Sequence, residues 1–263
     1  VKVTATDTKM MSITKTFNIY RKSSNENNVV DEPKIIEKEK RVALIFGNSN
    51  YQGAAHLGVN PVNDANDIAK TLQKLGFRII VKTDANLNTM NDALRDFGRE
   101  SRDADVALFY FAGHGMQIDR LNYLLPVGVN IKDKNDVSFE AVSVSTVQQI
   151  METNNAKRLN IIILDACRNN PFRSWSRGGE NGLADVNPPS GTLIAFATSP
   201  GSIASNGMGR NGLYTGELIK QLLIPQRIED VFINTRVEVE KKSGGNQSPW
   251  ELARLRGVYY LKK

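Results

Sequence analysis

The chain has 263 residues, 40% of them apolar and 24% charged, a balance that suits a soluble fold with one large domain or two smaller ones. Its 34 basic and 28 acidic residues leave a formal charge of +6, but they are scattered along the sequence and argue against a nucleic-acid or acidic-membrane surface. No apolar run nears the ~20 residues of a membrane-spanning helix, one cysteine excludes an intrachain disulfide or a multi-cysteine metal site, and two histidines are too few for a histidine cluster.

Residues 1–20, VKVTATDTKMMSITKTFNIY, alternate apolar residues with Lys and Thr, and DTKM is placed to turn between two strands. This polar, strand-like start is unlike a signal peptide and reads as part of a longer protein. Residues 21–40, RKSSNENNVVDEPKIIEKEK, are charged and carry a proline, as a linker does. The expected organisation is a strand-like remnant over 1–22, a linker over 23–40 and one large domain over 41–263.

From Arg41 the pattern alternates strand with helix. VALIFG is a buried strand, and Ala65, Ile68, Ala69, Leu72 and Leu75 follow at helical spacing with Gly76 placed to stop the helix. FRIIV is the next strand, and NTMNDALRDFGRES the next helix, with Asn88 or Thr89 as its cap. DVALFYFAG forms a third strand, YLLPVGV a small hairpin arm, and STVQQIME a helix leading into the aliphatic run Leu159 to Leu164. After a long loop over 168–190, GTLIAFATS is a strand, and two helical patterns follow on Leu213, Tyr214, Leu218, Ile219, Leu222 and on Ile228, Val231, Phe232, Thr235, Val239. GVYYL is expected as the last strand. Repeated β-α-β order implies a mostly parallel sheet with helices on both faces.

Such a sheet gathers the C-terminal ends of its strands on one edge, where ligands bind. The third strand ends at FAGHG and the cysteine strand at LDAC, so His114 and Cys167 are both set at that edge. Alone, Cys167 would pass for a small buried hydrophobe and His114 for a structural histidine. Together they make a dyad: an imidazole favours the thiolate and later protonates a leaving amine. Gly113 and Gly115 allow a tight backbone path, and main-chain N–H groups of Gly115 and Cys167 are candidates to hold a substrate oxyanion. The glycines of FGNSNYQG match neither a dinucleotide nor a P-loop fingerprint, which weakens a nucleotide-binding reading.

The DACR context, with a histidine 53 residues upstream, resembles the caspase signature, but Asp165 stands where caspases carry Gln and Asn169 where they carry Gly. NPVNDANDIAKTLQKLGF, FYFAGHG, LDACRNNPF, ATSPGSIASNGMGRNGLYT and NQSPWE resemble, in order, the metacaspases and their bacterial caspase-like relatives, the orthocaspases. The resemblance covers 41 to about 261. It implies an α/β fold of the caspase-haemoglobinase type and a cysteine endopeptidase with no cofactor, acting as a monomer on protein or peptide substrates. Residues 1–22 resemble the closing strands of an immunoglobulin-like sandwich.

Caspases bind aspartate before the scissile bond through arginines, whereas metacaspases use acids and prefer Arg or Lys. The metacaspase acid positions match Asp64 in VND and Asp165, which implies a basic substrate side chain. A helix N-terminal cap is the alternative role for Asp64, and Asp67 is expected as first-turn charge. Ala112 stands where some metacaspases place a hydroxyl, so that pocket hydrogen bond is expected to be absent. RNNPFRSWS after the cysteine carries no acid, so the calcium site of some metacaspases has no match and no metal is expected. Trp175 and Trp250 are candidates to line the cleft, or packing anchors. The loop over 168–190 has no periodicity and holds Arg173 and Arg177, candidate self-processing sites. A pseudoenzyme using the same fold as an interaction module is the alternative.

Overall fold

The computed structural model describes residues 2–6, 12–16, 39–52, 56–152, 158–167, 187–199 and 209–263, with 2–6, 12–16 and Cys167 described by their backbone alone. The chain divides into two compact units, Val1–Lys38 and Glu39–Lys263. In the first, β1 (Lys2–Thr6) and β2 (Ser12–Thr16) pair antiparallel, Lys2 opposite Thr16 and Thr6 opposite Ser12. The turn expected at DTKM, and the linker expected over 23–40 as far as residue 38, lie outside the described residues.

The second unit runs β3 (Arg41–Gly47), α1 (Asn60–Lys74), β4 (Phe77–Thr83), α2 (Leu87–Glu100), β5 (Val106–Ile118), β6 (Leu121–Leu124) and α3 (Val137–Glu140). It continues through β7 (Val142–Ser143), α4 (Val144–Met151), β8 (Leu159–Cys167), β9 (Thr192–Phe196), α5 (Leu213–Leu222), α6 (Ile228–Ser243) and β10 (Trp250–Arg254). The central sheet has the order β10-β9-β8-β5-β3-β4; all its pairs are parallel except β10 with β9. It is the mostly parallel α/β sheet expected from the sequence.

Each central strand carries an unbroken apolar run because both its faces are covered there. Ile45, Leu108, Tyr110, Ile161 and Ile163 pack with residues of α1, α5 and α6 on one face. Phe46, Phe109, Phe111, Ile162 and Leu164 pack with residues of α2 and α4 on the other. Each fully buried aliphatic or aromatic side chain contributes about 1.5–3 kcal/mol, so these strands form a rigid platform for whatever stands at their ends.

Three elements differ from the expectation. The cap of α2 is Asn86, whose side chain accepts the Thr89 N–H, not Asn88 or Thr89. β5 does not stop at FAGHG but runs on to Ile118 and pairs antiparallel with β6, Gly115 opposite Leu124. GVYYL is not a strand; the last strand is β10, from WELAR, which pairs along the outer edge of β9. Among those last residues Leu261 is buried and Val258 and Tyr260 are exposed, while Arg41 Nη1 donates to the carbonyls of Leu261 at 2.6 Å and Leu75 at 2.8 Å.

Candidate active site

β5 and β8 pair in parallel from Val106 with Leu159 to His114 with Cys167. The backbones of His114 and Cys167 are therefore register partners, about 4.8 Å apart, where β8 ends. His114 is 6% exposed and is held from the loop after β3. Its N–H donates to Tyr51 Oη at 3.1 Å, the Tyr51 hydroxyl donates to the Leu125 carbonyl at 2.9 Å, and the two rings lie 4.5 Å apart. Since the Leu125 N–H donates to the His114 carbonyl at 2.9 Å, the tyrosine hydroxyl is inserted where a second His114–Leu125 ladder bond would close.

Gly113 makes room for this insertion, since a Cβ there would stand 2.7 Å from Tyr51 Oη and 3.1 Å from the Asn48 carbonyl. Asn48, fully buried, ties the same loop down by donating to the Leu125 carbonyl at 3.1 Å and accepting the Ala85 N–H at 2.9 Å. The polar residues of FGNSNYQG thus hold the histidine. Along an antiparallel ladder, residues flanking a hydrogen-bonded pair turn their N–H groups the other way. That alternation directs the Gly115 N–H away from β6, to the side of β8.

Two carboxylates meet at the same edge. α1 lies against the end of β3 because Gly47 has no side chain; a Cβ there would collide with the Pro61 carbonyl and Ala65 Cβ. This close approach brings in Asp64, which is 3% exposed. Asp64 is not the helix cap, because α1 starts from Val59 with no side-chain cap, and its carboxylate instead accepts the Gly212 N–H at 3.0 and 3.3 Å. Asp165, the register partner of Ala112, accepts a hydrogen bond from Thr215 Oγ1 at 2.6 Å. Thr215 Oγ1 has then given its proton to Asp165, so Tyr110 Oη, 2.6 Å behind it, is the donor to Thr215. A Cβ placed on Gly212 would stand 3.1 Å from Asp64 Oδ2 and 3.7 Å from Asp165 Oδ2, so the two carboxylates flank one spot.

Their electrostatics follow from that crowding. Burial, then the neighbouring Asp165 charge, pushes Asp64 up to about 8 against the opposing bonds from Asn211 and Gly212. Burial pushes Asp165 up to about 6, with the Thr215 bond pulling the other way. The pair titrates as a unit and shares a proton near neutrality. Asp67, one turn along α1 and not in its first turn, anchors the stretch before α5: it accepts Arg210 Nε at 2.8 Å and Asn211 Nδ2 at 3.2 Å. The bond from Arg210 holds Asp67 below the usual carboxylate range. Asn63 adds a bond to the Arg210 carbonyl at 3.0 Å.

Of the residues singled out in the sequence, His114, Gly115, Asp64, Asp165 and the backbone of Cys167 thus gather at one sheet edge. Arg173, Arg177 and Trp175 lie outside the described residues, while Trp250 stacks on Phe196 at 5.2 Å as a packing anchor. The hydroxyl missing at Ala112 is supplied to Asp165 by Thr215 from α5. Sequence reasoning missed Thr215, Tyr110, Gly212, Tyr51 and the Asp67–Arg210 pair, whose partners are 50 to 148 residues away in sequence. The only advance signal was that Asn211, Gly212 and Thr215 fall inside a block already matched to known relatives.

Residues 40–260 match the family described as Peptidase C14, caspase domain. The human mucosa-associated lymphoid tissue lymphoma translocation protein 1 is 27% identical over 144 residues, which take in 55% of this chain and 16% of that protein. Caspase a of Danio rerio is 25% identical over 148 residues, or 54% of this chain and 37% of that protein, so the chain spans only a minor part of either relative. The crystal structure of caspase-1 from Spodoptera frugiperda superposes with a TM-score of 0.64 at 17% identity, covering 86% of this chain and 93% of that one. The two share a fold.

Proposed function

Because the chain belongs to the caspase domain family of cysteine peptidases, Peptidase C14, we propose that it is an endopeptidase that cuts protein substrates after Arg or Lys with a Cys167–His114 dyad. The observation that carries this reading is the pairing of His114 with Cys167 in register at the end of β8, beside two carboxylates, the buried Asp64 and the half-buried Asp165. In the proposed reaction the Cys167 thiolate attacks the scissile carbonyl carbon. The oxygen becomes an oxyanion facing the main-chain N–H groups of Gly115 and Cys167. The carbonyl re-forms as the C–N bond breaks, and His114 gives its proton to the departing amine. Water, deprotonated by the same imidazole, then releases the acyl group and restores the thiol.

Asp64 and Asp165 select the substrate. Each carries a burial cost and the Asp165 charge adds to that of Asp64, and a guanidinium or ammonium set between them relieves both. The acid positions are those of metacaspases and orthocaspases, to which the motif blocks are similar.

A peptide carrying a thiol-reactive group after a terminal arginine tests this reading. It labels the folded protein once, at Cys167, and the same reagent ending in aspartate does not. A folded chain that resists the arginyl reagent would instead be an interaction module.

We further expect the enzyme to cut itself after Arg177 or Arg173. A loop tethered to its own cleft presents those arginines at high effective concentration. Intact-mass measurement should find the cut in wild type and not in Cys167→Ala purified in parallel. An equal cut in both would assign it to other proteases.

A further inference from the structure

A buried phenol fixes the direction of the hydrogen bonds behind Asp165. Tyr110 and Thr215 are both fully buried, and Tyr110 belongs to the apolar cluster that the sheet forms with α1, α5 and α6. Among the described residues the Tyr110 hydroxyl has one hydrogen-bond partner, Thr215 Oγ1 at 2.6 Å. A buried hydroxyl proton left without an acceptor is costly, so Tyr110 donates to Thr215. The single Thr215 hydroxyl proton then goes to Asp165 Oδ2, also 2.6 Å away. The reverse order, in which a protonated Asp165 donates to Thr215, would strand the Tyr110 proton.

The two acids are therefore served unequally. Asp64 takes the Gly212 N–H and the Asn211 side chain, whereas Asp165 has Thr215 as its one side-chain donor among the described residues. Tyr214, next to Thr215 on α5, is buried as well, but its Oη has no hydrogen-bond partner and gives Asp165 no bond. The ionisable groups around Asp165 are Asp64 from α1, Tyr110 from β5 and Tyr214 from α5, with Glu251 of β10 beyond Tyr214. His114 and Cys167 stand two residues further along β5 and β8. Burial and the carboxylate charges keep both phenols protonated. Among the described residues no cation pairs with Asp165, and Arg210 is taken by Asp67.

We infer that Thr215, backed by Tyr110, is a positioning residue for substrate selection: it locks Asp165 as an acceptor and makes it the standing anchor for the substrate cation, with Oδ1 and the second lone pair of Oδ2 left to bind it. Asp64, with no hydroxyl relay behind it, is the member that carries the proton the pair shares near neutrality. This role rests on the reading of the two acids as a pocket for Arg or Lys, and goes beyond it by giving them different parts.

Titrating Asp165 by isotope-edited carboxyl NMR in the whole 263-residue chain, with its signal identified by its loss in Asp165→Asn, tests the relay independently of turnover. Thr215→Val removes the hydroxyl at nearly constant shape and should move the Asp165 titration to higher pH, while Thr215→Ser should bring it back toward wild type. In steady-state kinetics Thr215→Val should lower kcat/KM for arginyl substrates about tenfold near neutrality, the usual scale for a hydrogen bond to a charged group. The loss should sit in KM more than in kcat, and the climb of kcat/KM with pH should move to higher values. Should Thr215→Val fold poorly because the Tyr110 proton is stranded, Thr215→Val combined with Tyr110→Phe removes both partners and carries the same test. A wild type that cleaves no arginyl substrate would sink the pocket reading and leave the titration to decide the part of Thr215. An Asp165 titration unchanged by loss of the Thr215 hydroxyl, or a loss of turnover without that shift, would overturn the inference.

Discussion

Cys167→Ala should abolish turnover of an arginyl peptide substrate and leave the folded state intact. The substitution removes a single sulfur from the last residue of β8, yet no other thiol in the chain can replace it. His114→Ala should lower kcat by about 100- to 10,000-fold, the usual range for removing a positioned general acid and base. It should also loosen the strand arm, because the Tyr51 ring packs at a tilt against that imidazole. Steady-state kinetics beside a melting curve separates the two effects. Persistent turnover by Cys167→Ala would remove the nucleophile from the account.

The second large effect is expected at the carboxylates. Asp64→Ala or Asp165→Ala should cost about 2 to 4 kcal/mol of transition-state binding for arginyl substrates, roughly 30- to 1000-fold in kcat/KM, because one acid is left to face the cation alone. Neither change should create activity toward aspartyl substrates. The raised acids also fix a pH dependence. A cation is held best when both are ionised, so kcat/KM for arginyl substrates should climb as pH rises through the range from about 6 to about 8. Asp165→Asn removes the charge that helps to raise Asp64, and should shift the climb to lower pH while lowering the plateau. Stability runs the other way. Carboxyls raised by folding bind more protons in the native than in the unfolded state, so the fold should lose stability as pH rises from about 4, the unfolded carboxyl value, through about 8. Asp165→Asn should flatten that loss, and a profile identical to wild type would mean the pair does not titrate together.

The strands and helices that build the sheet were legible because each is a long run with one clear period: unbroken aliphatic residues for β5 and β8, and i, i+3, i+4 spacing for α1 and α6. Their register was not written locally. GVYYL alternates as well as many strands do, but the place beside β9 is taken by WELAR. FAGHG looked like a strand end because glycines usually break strands, yet here Gly113 admits the Tyr51 hydroxyl and the strand continues. The candidate site divides the same way. His114, Cys167, Asp64 and Asp165 each follow a recognisable strand or begin a recognisable helix, so topology alone gathers them. Thr215 and Tyr110 serve Asp165 across 50 and 55 residues of chain, and only their place inside the motif blocks hints at it. The same is true of Arg210, an exposed cation that is bound to Asp67 143 residues away.

The most direct test of the central claim is to sequence the bonds cut when wild type and Cys167→Ala are incubated separately with a complex protein digest. A cysteine endopeptidase with an acidic pocket predicts new termini after Arg or Lys in the wild-type sample and none in the variant. Cuts after Asp, or the same cuts in both samples, would contradict it.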